Sequence, residues 1–422
     1  MKTLKRISLS FGLVLFASAA PLMAQLNGEI QFARPYDMQG VNVFETAAKT
    51  DVDFDELKVN WGAAFTQQFQ GLSHANAPGG LVEIGSGFNT ATANLNLDVQ
   101  LADGIRVNVI SYLSSRHHPE AWVKGGYLQA DKLTVLGNKT IDAMMEHLTL
   151  KVGHFEINYG DAHFRRSDNG NTIHNPFVGN NIMDAFTTEI GAEVYYQDNG
   201  WLAMTALTGG EIKGSVDRPE GRAPAFYGKV GYDKQVDDDL RVRLTGSAYM
   251  TSKSLNNTLF SGDRGGSRYY LVLEPEGAST SKNFTSGRFN PGLRSNVAAF
   301  VVNPFVKFGG VEVFGTVEQA TGKAANETAD RTWNQYAGEV LYRFLAGEKA
   351  YVGARYNTVS GELAGGTDAS IDRMQLAAGW FVTQNVLVKA EYIDQAYNDF
   401  PGEDLRNGGG FDGLMVESVV AF

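Results

Sequence analysis

Few residues of this chain combine type and spacing in a way that could support covalent chemistry. Ser73 and His74 supply a nucleophile and a base, but adjacent residues of a strand point to opposite faces and cannot meet. His117-His118-Pro119-Glu120 gathers metal-ligand side chains at a spacing that matches no zinc pattern, and reads as a surface loop. Gly85-Ser86-Gly87 lacks the strand-then-helix context of a phosphate cradle. The sequence has Cys 0, which excludes thiolate metal sites, a Cys nucleophile and a disulfide framework. No catalysis, metal or cofactor is expected. The residues that stand out do so electrostatically: the stretch from Asn158 to Ala185 carries Asp161, His163, Arg165, Arg166, Asp168, His174 and Asp184 between glycines and asparagines. Held inside an aqueous passage, such a loop sets a transverse field that sorts solutes by charge and size. Held outside, it is only a cap.

The elements flanking that loop decide between the two. From about residue 56 the side chains alternate with a period of two, the rhythm of strands with unlike faces. Leu240, Val242, Leu244, Ala248 and Met250 share one face, and Arg241, Arg243, Thr245 and Ser247 the other. Ile105, Val107 and Val109 oppose Arg106 and Asn108 in the same way; Met374, Leu376, Ala378 and Trp380 oppose Arg373 and Gln375. About sixteen such segments follow one another, and their connections alternate in length. Ala102-Asp103-Gly104, Asp198-Asn199-Gly200 and Phe308-Gly309-Gly310 are tight and rich in residues that accept positive φ. The stretches 71–90, 158–185, 209–222, 251–296, 321–331, 360–369 and 397–409 are long and polar. Tight turns at one end and large loops at the other predict an all-β fold: a transmembrane antiparallel β-barrel with short periplasmic turns and long external loops. Roughly 25 residues per strand and connection suit the membrane crossing of a tilted strand. The connection 131–145 is long where a turn belongs. Trp61, Trp122, Trp201, Trp333, Trp380, Tyr195, Tyr196, Tyr392 and Phe422 fall near strand ends, where interfacial girdles sit.

Composition agrees. In 422 residues there are 48 Gly against 11 Pro, a formal net charge of −11, and no compositional break that would divide the barrel into smaller domains. The acidic balance argues against nucleic-acid binding, and past the N-terminus no apolar run reaches the length of a membrane helix. Residues 1–24 read as a signal peptide: Lys2, Lys5 and Arg6, then the apolar run Ile7 to Ala20, then Leu22-Met23-Ala24 at the expected cleavage point. Residues 25–55 form a segment ahead of the barrel at 56–422. It either packs in the periplasmic mouth, with Tyr36 and Phe44 as anchors, or extends loosely.

The final stretch Gly413 to Phe422 alternates Leu414, Val416, Ser418 and Val420 up to an aromatic end. It resembles the C-terminal signal of bacterial outer-membrane proteins, which implies Phe422 as the handle for the barrel-assembly machinery and an outer-membrane setting among lipid and lipopolysaccharide. Length and strand number resemble porins, many of which are trimers, so a homotrimer is an open expectation. Lys151-Val-Gly-His-Phe-Glu-Ile-Asn-Tyr-Gly160 is similar to the central strand of the phosphate-selective porin superfamily, although the lumen face lacks that family's dense Lys/Arg surface. Porins fold their third external loop inward, and 158–185 is third in order here.

On the lumen face the alternation places Arg106, Lys151, Arg241, Arg243, Arg343, Arg355, Arg373 and Lys389 with Glu189, Glu193, Glu312, Glu318, Glu339, Glu391 and Glu417. Arg343, Arg355 and Arg373 form either a basic ladder or pairs with neighbours such as Glu339. The fifth loop adds a basic island with Lys253, Arg264, Arg268, Lys282, Arg288 and Arg294, which either attracts anionic solutes toward the mouth, binds the anionic lipid surface outside, or is a solvated surface loop. The expected function is a porin, a passive water-filled channel constricted by Asp161, His163, Arg165, Arg166 and Asp168. The alternatives are an anion channel, for instance for phosphate, and a plugged barrel with adhesive loops.

Overall fold

The structure, a computed structural model, describes residues 29–45, 50, 52–115, 121–211, 219–262, 270–279 and 287–422. The expected signal peptide, His117-His118-Pro119-Glu120, Arg264, Arg268 and Lys282 lie outside the described residues. Sixteen strands close on themselves in sequence order, every neighbour antiparallel. They are β1 (Lys58–Ala75), β2 (Gly87–Ala102), β3 (Ile105–Ser114), β4 (Trp122–Ala130), β5 (Leu148–Glu156), β6 (Thr188–Asp198), β7 (Trp201–Thr208) and β8 (Ala225–Gln235), then β9 (Leu240–Thr251), β10 (Asn296–Phe308), β11 (Val311–Lys323), β12 (Arg331–Phe344), β13 (Ala350–Glu362), β14 (Asp368–Thr383), β15 (Val386–Asn398) and β16 (Gly410–Ala421).

Closure pairs every wall strand on both sides and leaves no edge exposed to lipid. The seam between β1 and β16 runs from Ala75↔Gly410 to Ala64↔Ala421 and is finished by Phe422, whose N–H donates to Ala63 O at 2.9 Å while Ala63 N–H donates to Phe422 O at 2.8 Å. The turns are as tight as their residues allow. Asp198 pairs directly with Trp201, leaving a two-residue loop in which Asn199 and Gly200 both have positive φ (48° and 88°); that geometry matches the twist of the flanking strands. The long connection 131–145 holds a short helix, α1 (Lys139–Met145), capped by the Asn138 side chain.

The period-two pattern sorts side chains as its chemistry requires. Leu244, Met250, Leu376 and Trp380 are exposed on the outer face, while Arg243, Thr245, Arg373 and Gln375 are buried within. Three expectations need correction. β1 and β2 continue well into the span expected as the loop 71–90, because Leu72 and His74 keep the alternation. Tyr195 and Trp333 are not girdle residues. Both fall on inward positions, and Trp333 is fully buried against Phe289, its Nε1 donating to Glu362 O at 2.9 Å. The fifth loop is not merely a solvated surface: Leu259, Phe260, Tyr270, Val272, Phe289 and Leu293 are buried, and Gln70 of β1 bonds the backbone of Leu271 in both directions.

β10 carries a proline, which cannot donate to a ladder. Pairing with β11 lapses between Val302↔Val317 and Phe305↔Phe314, and the Asn303 amide replaces it, Nδ2 donating to Gly315 O at 2.9 Å. Asn303→Ala should therefore destabilise the folded barrel by about 1 kcal/mol for the lost bond and more for the buried carbonyl left unpaired, which a lower thermal unfolding midpoint would register. An unchanged midpoint would show the repair to be unimportant.

Candidate functional site

Residues 157–187 leave β5 and turn into the barrel. Their hydrogen bonds reach strands on nearly every side of the ring, which only a segment inside the lumen can do. Thr66 of β1 donates to Gly170 O at 3.0 Å, and Thr92 of β2 to Asn169 O at 3.0 Å. Across the ring, Lys389 of β15 donates to Thr172 O, Asn175 O and Phe177 O at 3.0, 2.8 and 2.8 Å. Between them Gln335 Oε1 and Asn357 Oδ1 accept from Met183 N–H and Ile182 N–H at 2.9 and 2.6 Å. Gly170 sits so close to β1 and β2 that a Cβ there would lie 2.5 Å from Asn94 N and 2.6 Å from Ala64 O.

Asp161 is the main anchor. Its carboxylate accepts from Lys229 Nζ at 2.9 Å, Arg243 Nε and Nη2 at 2.8 and 2.9 Å, and Thr245 Oγ1 at 2.7 Å; its backbone N–H donates to Asn303 Oδ1 at 2.8 Å. Burial alone would raise this carboxyl's pKa, but the Lys229 and Arg243 charges hold it well below the usual carboxylate range. Arg165 approaches Glu312 and Glu339 at 3.5 and 3.4 Å. Arg166 forks onto Asp184, with Nε donating at 2.7 Å. Asp168 pairs with Lys124 of β4 and lies 3.6 Å from Arg166 Nη1. His163 bridges Glu156 and Asn158 at 3.2 and 2.9 Å, and burial lowers its pKa, favouring the neutral ring.

The wall residues expected to line water mostly serve other ends. Arg343 pairs with Glu312 at 2.6 Å and Arg355 with Glu339 at 2.7 Å, while Arg373 bonds Gln395 at 2.6 Å and the loop carbonyl of Asn180. The three successive arginines are thus divided among local partners. Glu391 accepts from Val178 N–H at 2.8 Å, Glu189 from Tyr249 Oη at 2.7 Å, and Arg241 pairs with Asp233 at 2.7 Å.

Residues 29–45 lie across the turn end. Gln31 N–H donates to Gln100 Oε1 at 3.0 Å, Tyr36 Oη to Asp98 at 2.5 Å and Met38 N–H to Gln384 O at 2.9 Å. Phe44 stacks edge-on against Phe305 and Phe164, and Glu45 pairs with Arg243 at 2.7 Å and Lys229 at 3.1 Å.

Between the loop and the β2–β6 wall lies a cavity of about 240 Å³. Arg106, His163, Arg166 and Asp168 border it, as do Asp98, Lys124 and Lys151, while Asp161 and Arg165 do not. Asp98, Lys124 and Lys229 were missed by sequence reasoning. Lys229 and Asp98 obey the same alternation as their neighbours and could have been found. Lys124 could not, because the register shifts beside it, with Ile110 facing Gly125 and Ser111 facing Val123. Among the described residues no group of three or more His, Cys, Asp or Glu could hold a metal ion.

No family model and no curated protein sequence matches the chain. Solved structures do. An anion-selective porin from Comamonas acidovorans superposes with a TM-score of 0.55 at 13% identity, covering 87% of this chain and 100% of that one. OmpT of Vibrio cholerae gives 0.52 at 11%, covering 88% and 99%. OprB of Pseudomonas putida gives 0.52 at 9%, covering 86% and 94%. At these identities the likeness is one of fold: the chain has the sixteen-stranded barrel of outer-membrane porins.

Asp161→Asn should loosen the loop, since Lys229 and Arg243 lose their central partner; breaking one side of a buried pair costs about 3 kcal/mol. Limited proteolysis should then cut within 158–185 in the variant and spare the parent, whereas equal resistance would refute the anchor. Because the Asp161 pKa is depressed in the fold, its contribution is complete above the ordinary aspartate value near about 4 and disappears only as the pH falls through the lower folded value. Acid should therefore release the same segment only below that point.

Proposed function

We propose that the chain is an outer-membrane porin that lets small polar solutes diffuse through a water-filled passage constricted by the inward loop. The observation that carries this reading is the cavity beside the β2–β6 wall, lined by Asn94, Asn96, Asn108 and Gln129 and by charges of both signs. A barrel of this strand number encloses more space than side chains fill; here the loop takes up much of it and the polar remainder is the route for solutes. Transport without covalent chemistry is the corresponding activity. Residues 1–24 would export the chain, the β16 end would engage the barrel-assembly machinery through Phe422, the tight turns would face the periplasm and the long loops the outside. Residues 29–45 would form the floor of the periplasmic mouth. The mixed charge of the passage favours weak ion preference over a dedicated phosphate channel.

Planar-bilayer recording of the folded protein should give stable ohmic steps with modest ion preference. Absence of conductance would overturn the channel reading in favour of a plugged, surface-binding barrel. Block by micromolar phosphate would replace it with a phosphate-specific one. Deleting residues 166–180 should raise the single-channel conductance severalfold; an unchanged step would remove the loop from the constriction.

A further inference from the structure

The cavity beside the β2–β6 wall is ringed by charged side chains, and those charges are already taken. Arg106 meets Asp98 at 3.7 Å, Lys151 meets Glu193 at 3.1 Å, Glu45 meets Arg243 at 2.7 Å, and Lys124 pairs with Asp168. Arg166 donates to Asp184 at 2.7 Å, Glu156 bonds His163 at 3.2 Å, and Arg34 donates to the carbonyls of Gly40 and Phe164, each at 3.0 Å. What these pairs leave for a solute is uncharged. The carboxamides of Asn96, Asn171 and Gln197 and the hydroxyl of Tyr127 border the same cavity and make no hydrogen bond with the described residues. We propose that the cavity binds an uncharged polyhydroxy solute of monosaccharide size, with Asn96, Tyr127 and Asn171 as its hydrogen-bonding partners. The inference rests on the channel reading and names a solute class for it.

An ion that enters this space must shed water and finds each counter-charge engaged; drawing one of them away strands the other member of a buried pair. A hydroxyl meets no such obstacle. It brings a donor and an acceptor together, as a carboxamide does, so a polyol exchanges its bonds to water for bonds to Asn96, Asn171 and Tyr127 without disturbing an ion pair. Asn96 has the most to gain. Its side chain is 4% exposed, points inward from β2 and has no partner among the described residues, and a buried polar group in that position is costly until something bonds it. Directly across from it on β3 stands Ile110, which lines the cavity with the rings of Tyr36 and Phe155. Apolar surface beside a few neutral polar groups suits a molecule with C–H faces and hydroxyl edges. Gln197 offers a further carboxamide nearer the tight turn that ends β6. A volume of about 240 Å³ admits one sugar ring rather than a chain of them.

Single-channel currents of the full chain should be titrated with glucose, gluconate and glucosammonium, which are alike in size and differ in charge, at constant ionic strength in the parent, Asn96→Ala and Tyr127→Phe. Glucose should reduce the parent current saturably, and the two ions should need about tenfold higher concentrations for the same block. Each variant removes one hydrogen bond and should raise the half-blocking glucose concentration by about fivefold. Tyr127→Phe deletes only a hydroxyl and keeps the ring, so it carries the test if Asn96→Ala fails to assemble. Equal block by glucose and either ion would overturn the uncharged class. Unchanged glucose block in both variants would overturn the assigned partners, and a parent that conducts without saturable glucose block would overturn the site. If the parent does not conduct, the channel reading fails by itself, and equilibrium dialysis of the folded protein with labelled glucose decides the site: binding weakened in Tyr127→Phe upholds it, and binding that is absent or unchanged in that variant overturns it.

Discussion

A peptide segment buried inside a tube must find a partner for each N–H and C=O it takes out of water. That demand shapes this lumen more than any other. Lys389 is spent on three loop carbonyls, Asn357 and Gln335 on loop amides, and Glu391 on Val178. Several inward-facing polar residues of this barrel are thus backbone partners of the loop, while others, such as Arg343 with Glu312, pair with one another.

The distribution of those partners is lopsided. β8 to β15 supply the ion pairs and backbone bonds that fix the loop, β1 and β2 hold its tip, and β4 contributes Lys124. The open space is therefore pushed to one side, where wall amides replace the dense pairing found opposite. Residues 29–45 reinforce the same asymmetry, since Glu45 joins Asp161 around Lys229 and Arg243.

Much of the fold was legible because a barrel strand writes its two faces into alternate letters. Arg241 and Arg243 against Leu244 is enough to orient β9, and Asn199-Gly200 is enough to turn β6 into β7. The failures have equally local causes. Trp333 was read from its residue type when its position in the alternation pointed inward. The Gly125 register shift hid Lys124, and with it the wall side of the contact to Asp168. Alternation says which face a residue is on but nothing of what stands opposite, so Arg343 and Arg355 were found as lumen residues while the carboxylates that neutralise them were only one of two readings. Of the constriction candidates, the sequence grouped Asp161 with Asp168, and only the packing separates an anchor from a cavity-facing side chain.

The contacts that seat the loop join distant parts of the chain: Lys389 lies 217 residues from Thr172, and Arg373 lies 193 from Asn180. Such pairings form late, because the intervening chain must be ordered first. Residues 158–185 therefore cannot reach their final partners until β12 to β15 stand beside them, so a change in those late strands would unseat a loop that lies about two hundred residues earlier in the chain.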